Sequence, residues 1–142
     1  MAIEENKDVV RRYCDALSAG DIAGCLSLLA EDYACWVPGP KEKIPVCGHH
    51  RRSDVAAMYA AWPTMFPHGF KVVIKAMTAE GDRVAVEAES LGQTAAGKLY
   101  QQTYHYLFVV RNGKIVMQHE YLDTLHLKER MVDDFAGILT AR

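Results

Sequence analysis

The sequence lacks the short motifs that identify several large enzyme classes. Its 142 residues contain no GxGxxG, GxxxxGK[ST], GxSxG or HExxH pattern, which argues against dinucleotide, P-loop, serine-hydrolase and zincin chemistry. No apolar run approaches the roughly 20 residues that a membrane helix needs. The N-terminus is acidic and polar, unlike a secretory signal. We therefore expect a cytoplasmic protein without a membrane partner.

An excess of positive charge is also missing. The 16 Lys and Arg residues face 18 Asp and Glu residues, for a net charge of −2. The basic residues are scattered, so the chain has no electrostatic footprint for nucleic acid. Half of the residues are hydrophobic, as in an ordinary globular protein. Length and composition together predict one domain over residues 1–142.

The few cysteines and histidines form no recognisable disulfide or metal pattern. No CxxC pair occurs among the four cysteines, Cys14, Cys25, Cys35 and Cys47. Two of them occupy apolar helical stripes, where a free thiol behaves as a small hydrophobic side chain. The spacing of His49, His50 and His119 matches no familiar ligand motif. The sequence predicts neither a metal site nor a cofactor.

The first half of the chain has the periodicity of helices. Asn6 is expected to cap a first helix, Asp21 a second and Ser53 a third. Pro63 lies inside the third apolar pattern and should kink or shorten that helix. Between the second and third helices, residues 33–37 can form a short strand, and residues 38–48 are rich enough in proline, glycine and charge to predict a loop.

From Phe70 onward the hydrophobic period changes to two, which predicts strands. Asn112-Gly113 is a strong signal for a tight hairpin, and Asp123-Thr124 is expected to cap a short C-terminal helix over residues 125–130. Three N-terminal helices followed by antiparallel strands indicate an α+β fold, with the helices packed on one face of a curved sheet.

Glu120 is the main candidate for chemistry. In the last strand it shares a face with Val116 and Leu122. A carboxyl group among apolar neighbours loses solvation, which raises its pKa towards the value that a general acid or base needs near neutral pH. The alternatives are that this face is solvated, or that a structural partner such as His105 or an arginine neutralises the carboxylate.

Several neighbouring residues admit two interpretations. Glu89 shares a strand face with Glu87, so it either joins Glu120 in a carboxylate cluster or lies on a solvated face. A buried Tyr104 hydroxyl can orient a carbonyl or enolate oxygen, or the ring can simply pack in the core. His105 is a catalytic or a structural histidine, and strand alternation places it on the face opposite to Tyr104.

Three segments resemble a known group of proteins: AEGDRVAVEAES at 79–90, YxxxYHYLFxxRNGKI at 100–115 and EYLDT at 120–124. They are similar to the C-terminal half of the nuclear transport factor 2-like superfamily, which includes SnoaL-type polyketide cyclases and ketosteroid isomerases. The resemblance covers residues 6–128. It implies a cone-shaped, strongly curved antiparallel sheet wrapped around three N-terminal helices, a deep pocket, and a homodimer formed through the outer sheet face.

The resemblance also implies roles for individual residues. Glu120 occupies the place of the single final-strand acid of SnoaL-type cyclases, and His105 lies close to their helper histidine. Tyr13 corresponds to the oxyanion-hole tyrosine of ketosteroid isomerase, whose catalytic aspartate is replaced here by Val37. Gln102 stands where many relatives carry an asparagine.

Limonene epoxide hydrolase matches less well. Its strand arginine and aspartate correspond to Glu87 and Glu89, so the arginine is absent.

The resulting hypothesis is a cofactor-independent acid/base enzyme of the isomerase, cyclase or lyase type. It would act on a small, apolar, carbonyl-bearing molecule. The predicted catalytic residues are Glu120, Tyr13, His105 and Tyr104. The predicted substrate-binding residues are Trp36, Met58, Trp62, Met65, Glu89 and Gln102. The alternative is a non-catalytic ligand-binding or dimerisation module on the same scaffold.

Overall fold

A computed structural model describes residues 2–140, so Met1, Ala141 and Arg142 of the predicted domain lie outside the described residues. The first half contains α1 (Ile3–Ser18), α2 (Ile22–Ser27), β1 (Leu29–Val37), β2 (Gly48–Arg51) and α3 (Arg52–Met65). Four long strands follow: β3 (Lys71–Glu80), β4 (Arg83–Gln93), β5 (Leu99–Arg111) and β6 (Lys114–Leu122). The chain continues through α4 (Thr124–Leu127), a π-helical turn (Lys128–Val132) and α5 (Asp133–Thr140).

The six strands form one sheet in the order β2-β1-β6-β5-β4-β3. Its neighbours are antiparallel except β1 and β6, which run parallel. Register shifts in three of the strand pairs mark irregularities that bend and twist the strands. The curved, unclosed sheet packs against α1 and α3, which confirms the predicted α+β class. We call the helix side of the sheet its inner face and the opposite side its outer face.

Strand β5 supplies the centre of the inner face. Its alternate side chains are buried as the period of two predicts: Tyr100, Gln102, Tyr104, Tyr106 and Phe108. Helix α1 packs across this row, with the Tyr13 ring edge-on to Phe108 at a centroid distance of 6.0 Å. The intervening residues Gln101, Thr103 and His105 are exposed on the outer face. The alternation therefore divides core from surface from Leu99 to Phe108, and beyond it Val109 and Val110 are both buried.

The first helix begins earlier than the sequence suggests. Asp21 caps α2 as predicted, because its carboxylate accepts the Gly24 amide at 2.9 Å. Asn6 does not cap α1, which starts at Ile3. Asn6 is buried within that helix, and its side-chain amide donates to the Gly81 carbonyl at 3.4 Å. The polar side chain of Asn6 therefore serves a tertiary contact with the β3–β4 turn and does not cap the helix.

The third helix also begins before its expected cap. It starts at Arg52, so Ser53 lies inside it, and the Asp54 carboxylate accepts the backbone N–H of Arg51 at 2.9 Å. The acidic side chain in the first turn takes the place of the serine. Pro63 remains within the helix, which ends two residues later at Met65.

The region before α3 contains a strand that the sequence did not predict. Residues 48–51 pair with β1, and His50 lies opposite Cys35. This short edge strand is only four residues long and includes a glycine and two histidines, so it carries no readable hydrophobic period. Strand β1 is also longer than predicted, because it starts at Leu29 and not at Tyr33.

An extra residue in β6 changes which side chains face inward. Val110 pairs with Ile115 and Val109 pairs with Met117, so Val116 is left over in the ladder. Such a bulge shifts the alternation by one residue. Ile115 is therefore buried, although simple alternation placed it opposite to Glu120. Glu120 itself stays on the inner face.

The C-terminal segment is longer than predicted. Asp123 caps α4 by accepting the His126 amide at 3.1 Å, as expected. The helical path then continues past Arg130 to Thr140, with a break in helical geometry at Phe135. Lys98 in the β4–β5 turn fastens this segment, because its ammonium group lies 2.8 Å from the Asp134 carboxylate. Within residues 2–140, no helix has both the length and the apolar character required to cross a bilayer.

The Gln102 side chain fixes the point where β6 ends and α4 begins. Its oxygen accepts the backbone N–H groups of Asp123 and Thr103, each at 3.1 Å. Its nitrogen donates to the Asp123 carbonyl at 2.9 Å and to the Tyr100 hydroxyl at 3.2 Å. An amide offers two acceptor and two donor positions, so all four are used.

Shortening this side chain should destabilise the fold. We expect Gln102→Asn to lower the free energy of unfolding by about 1–3 kcal/mol, because the shorter amide cannot reach all four partners and leaves buried polar groups unsatisfied. Urea denaturation measures the change. The matched control is Gln101→Asn on the exposed face of the same strand, which should shift stability by no more than about 0.5 kcal/mol. Equal effects of the two substitutions would contradict the role of Gln102 in fixing the junction between β6 and α4.

Candidate active site

A cavity of about 90 Å³ lies between the inner sheet face, α3 and the C-terminal helices. Its walls are mostly apolar and include Val37, Val55, Met58, Trp62, Leu122, Leu127, Met131 and Leu139. Ala57 and Ile138 also line it, and both are exposed to solvent. The cavity therefore opens between α3 and α5. An apolar recess with a few polar groups is the usual form of a small-molecule site.

Glu120 projects into this cavity from β6. Burial removes solvent from its carboxyl group and raises the pKa from 4.5 to about 7. The neighbouring Gln118 amide donates to its carboxylate at 3.4 Å, and Tyr33 in turn donates to the Gln118 oxygen at 2.8 Å. None of the ion pairs found in residues 2–140 involves Glu120. Burial thus moves the titration of this carboxyl group towards neutral pH.

Two tyrosines share the cavity wall with Glu120. Tyr104, a predicted site residue, lines the cavity. Its hydroxyl oxygen accepts a hydrogen bond from the Ser90 hydroxyl group at 3.1 Å. Tyr100, four residues earlier on the same face, also lines the cavity. Burial raises the pKa of both phenols above 10, so both stay protonated at neutral pH. They can donate hydrogen bonds to a ligand oxygen.

Two of the predicted catalytic residues do not line the cavity. Tyr13 lies deeper in the core, where its hydroxyl group is hydrogen-bonded to the Tyr59 hydroxyl. His105 is exposed on the outer face, opposite Glu87 on β4 and Tyr121 on β6. Strand alternation places the whole thickness of the sheet between this imidazole and Glu120. His105 therefore cannot neutralise the Glu120 carboxylate either.

Four of the predicted substrate-binding residues also lie elsewhere. Glu89 points outward, with its carboxylate 3.8 Å from the Lys75 ammonium group. Met65 is fully buried in the core, and the four hydrogen bonds of Gln102 are made within the protein. Trp36 lies on the outer face, where its ring stacks on His49 and meets His119 edge-on. Met58 and Trp62 are the predicted wall residues that the cavity contains.

Sequence reasoning missed four polar groups on the cavity wall: Cys35, His50, Asp54 and Tyr100. Tyr100 had a readable signal, because it shares the alternating face with Tyr104. His50 had none, since it belongs to the unpredicted strand β2; its imidazole Nε2 donates to the Val46 carbonyl at 2.6 Å. Burial raises the pKa of the Cys35 thiol to about 12, so this group is not a thiolate nucleophile at neutral pH.

No metal centre is evident in the described part of the chain. Residues 2–140 contain no group of three or more His, Cys, Asp and Glu side chains that is arranged to hold a metal ion.

The raised pKa makes stability depend on pH in a defined direction. Between about pH 4.5 and pH 7 the folded protein holds a proton on Glu120 that the unfolded chain has released. Folding therefore becomes less favourable as pH rises through this range. Glu120→Gln carries no such proton, so we expect its stability relative to the natural protein to increase by up to about 3 kcal/mol from pH 4 to pH 8.

Parallel denaturation curves at both pH values measure this difference. Glu87→Gln is the control, because that carboxylate is exposed on the outer face and its loss should leave the difference nearly constant with pH. Carboxyl-resolved NMR, with the signal assigned through Glu120→Gln, should give a midpoint near 7. A flat stability difference together with a midpoint near 4.5 would show that Glu120 is solvated.

Solved structures with the same architecture are numerous. An NTF2-like protein from Burkholderia xenovorans LB400 is 26% identical with a TM-score of 0.73, and the match covers 92% of this chain and 98% of that chain. TerC, co-crystallised with polyporic acid, is 21% identical with a TM-score of 0.76, over 89% and 97%. An LEH-like epoxide hydrolase of M. tuberculosis is 18% identical with a TM-score of 0.74, over 96% of both chains. The last two likenesses show the fold alone.

No protein with a curated description is significantly similar to this chain in sequence. The profile of the SnoaL-like domain family, in contrast, matches residues 10–118. That match runs from the middle of α1 into β6 and covers well over half of the chain. It agrees with the six-stranded curved sheet and with the NTF2-like structural neighbours. The chain therefore belongs to the SnoaL-like domain family and has the NTF2-like fold.

Proposed function

We propose that the protein is a cofactor-independent acid/base enzyme of the isomerase, cyclase or lyase type. Its substrate would be a small, apolar molecule that bears a carbonyl group. One observation carries the proposal: the Glu120 carboxyl group projects into an apolar cavity, and burial raises its pKa to about 7. A group with this pKa can both accept and return a proton near neutral pH.

The chemistry starts with proton removal. The Glu120 carboxylate takes a proton from the carbon next to the carbonyl group, and the electron pair left behind forms an enolate whose charge rests on oxygen. A tyrosine hydroxyl on the cavity wall, for which Tyr104 is the predicted candidate, donates a hydrogen bond to that oxygen. Protonated Glu120 then returns the proton to the same carbon or to another carbon of the substrate.

The cavity walls support this substrate class. Aliphatic and aromatic side chains surround the polar groups, so an apolar ligand gains by leaving water. The same walls limit the access of water to Glu120, which keeps its pKa high. Members of this fold include cyclases and isomerases, and one structural neighbour was crystallised with polyporic acid.

Epoxide hydrolysis is less well supported, although one structural neighbour is an epoxide hydrolase. The position expected for the arginine of such a site is held by Glu87, which is exposed on the outer face. Nothing at that position can assist Glu120.

Deuterium exchange tests the proton transfer without knowledge of the natural substrate. The probe is 2-acetylnaphthalene, an apolar aryl ketone, and NMR follows replacement of its methyl protons in D₂O. We expect Glu120→Gln to slow protein-catalysed exchange by about 10²-fold or more. The Kd of the variant for 2-acetylnaphthalene should change little, because the glutamine amide keeps the shape of the cavity. The rate should rise with pH and level off above about pH 7, since the base must be ionised.

Glu87→Gln is the matched control and should exchange protons at the natural rate. If Glu120→Gln binds the ketone and exchanges it as fast as the natural protein does, the acid/base role is wrong. If the natural protein binds the ketone without promoting exchange, the non-catalytic ligand-binding alternative is favoured.

We also propose a homodimer formed through the outer sheet face. That face carries an aromatic cluster of Trp36, His49, His119 and Tyr121, and Tyr121 is 41% exposed. Aromatic side chains are enriched at protein interfaces. Sedimentation equilibrium should give the mass of two chains, and Tyr121→Lys should shift the equilibrium towards one chain. A single-chain mass at all concentrations would contradict the dimer.

A further inference from the structure

The hydrogen bonds of Gln102 determine how the neighbouring Tyr100 hydroxyl is oriented. The Gln102 oxygen faces two backbone N–H groups and its nitrogen faces the Asp123 carbonyl. Exchanging the amide oxygen and nitrogen would set donors against donors, so the amide has one possible orientation. Its remaining N–H therefore points at the Tyr100 oxygen, 3.2 Å away. In this contact Tyr100 must be the acceptor.

The second neighbour of Tyr100 acts on the same oxygen. The hydroxyl groups of Tyr104 and Tyr100 are hydrogen-bonded to each other, and either oxygen can act as the donor. Tyr104 itself accepts a hydrogen bond from Ser90 at 3.1 Å. Hydrogen bonds thus connect Ser90, Tyr104 and Tyr100. A hydroxyl oxygen that accepts two hydrogen bonds becomes a stronger donor through its own proton.

When Tyr104 is the donor in this pair, the proton of Tyr100 is left for the cavity. Residues 2–140 contain no hydrogen bond in which Tyr100 is the donor to a backbone or carboxylate group. The Tyr100 ring is held firmly, because it stacks on His126 at 5.4 Å and on Phe70 at 6.4 Å. Tyr100 also lines the cavity that contains Glu120. In that arrangement, a rigidly held tyrosine that can donate a hydrogen bond borders the cavity in which a ligand oxygen would lie.

We propose that Tyr100 is a catalytic residue whose hydroxyl group donates a hydrogen bond to the carbonyl oxygen of the substrate. The bond strengthens when Glu120 removes a proton from the adjacent carbon and negative charge builds up on that oxygen. Gln102 and Tyr104 are positioning residues, because both act through the Tyr100 oxygen. The inference rests on the proposed function and replaces Tyr104 as the donor that contacts the substrate.

The test uses 2-acetylnaphthalene labelled with ¹³C at the carbonyl carbon. Donation of a hydrogen bond to the oxygen moves the ¹³C signal to higher frequency than in a hydrocarbon solvent. Spectra are recorded at pH 9, where Glu120 is ionised and has no proton to donate. The variants are Tyr100→Phe, Tyr104→Phe and Glu120→Gln. The matched control is Tyr106→Phe, a buried tyrosine on the same strand face that does not line the cavity.

We expect the shifted signal in the natural protein, in Glu120→Gln and in the Tyr106→Phe control. Tyr100→Phe should lose the shift, bind the ketone about 3- to 10-fold more weakly, and exchange its methyl protons about 10²- to 10³-fold more slowly. The exchange rate should fall much more than the affinity, because the bond is strongest in the enolate-like state. Tyr104→Phe leaves the Gln102 contact intact and should reduce the shift without abolishing it.

Three results would overturn the assignment. An unchanged signal in Tyr100→Phe would show that another group contacts the oxygen, and complete loss in Tyr104→Phe with retention in Tyr100→Phe would identify Tyr104 as the donor. Failure of the natural protein to bind the ketone would contradict the proposed carbonyl substrate, and the role of Tyr100 would fall with it. Loss of the shift in Tyr100→Phe with undiminished exchange in Glu120→Gln would instead confirm the donor and refute only the base.

Discussion

The alternation of side chains along β5 is the constraint on which the rest of the molecule depends. One face of this strand is buried from Tyr100 to Phe108. The polar groups on that face line the cavity or form hydrogen bonds inside the protein. Towards Phe108 the strand packs against α1 and builds the core. Towards Tyr100 it forms the cavity wall and holds the start of α4 through Gln102. Strand β5 alone therefore sets the relative positions of the core, the cavity and the C-terminal helices.

The cavity places a carboxyl group under a different constraint. Glu120 is half-buried beside an apolar cavity, and the loss of solvent around its carboxyl group destabilises the charged form. The fold tolerates this because the group can bind a proton near neutral pH and because the Gln118 amide donates a hydrogen bond to it. The arrangement lowers stability at high pH. Groups in this condition are concentrated at functional sites, where a displaced pKa is what the chemistry requires.

Much of the architecture was accessible from sequence, because it follows from periodicity. The change of period near Phe70, the Asn112-Gly113 turn and the apolar neighbours of Glu120 together predict the sheet and its acidic residue. The same reasoning failed where local pattern and tertiary contact diverge. Asn6 has the chemistry of a cap but serves the β3–β4 turn. The bulge at Val116 has no local signal, since it depends on pairing with β5.

The candidate site was only partly predictable for a similar reason. Alternation already separated His105 from Tyr104, and the structure follows the alternation and not the family correspondence. Trp36 looked like a wall residue because aromatic rings are common in both cores and surfaces. The role of Gln102 depends on backbone groups of Asp123, which no pattern in β5 reveals. Sequence identifies chemically capable residues, and the folded contacts decide which of them meet.

The two tryptophans lie on opposite sides of the sheet. Trp62 lines the cavity, whereas Trp36 belongs to the outer aromatic cluster. The protein thus carries its two tryptophan fluorophores in separate environments. A chain that keeps only Trp62 would register the filling of the cavity by its emission. A chain that keeps only Trp36 would register events on the outer face, so optical spectroscopy can follow the two surfaces of one sheet independently.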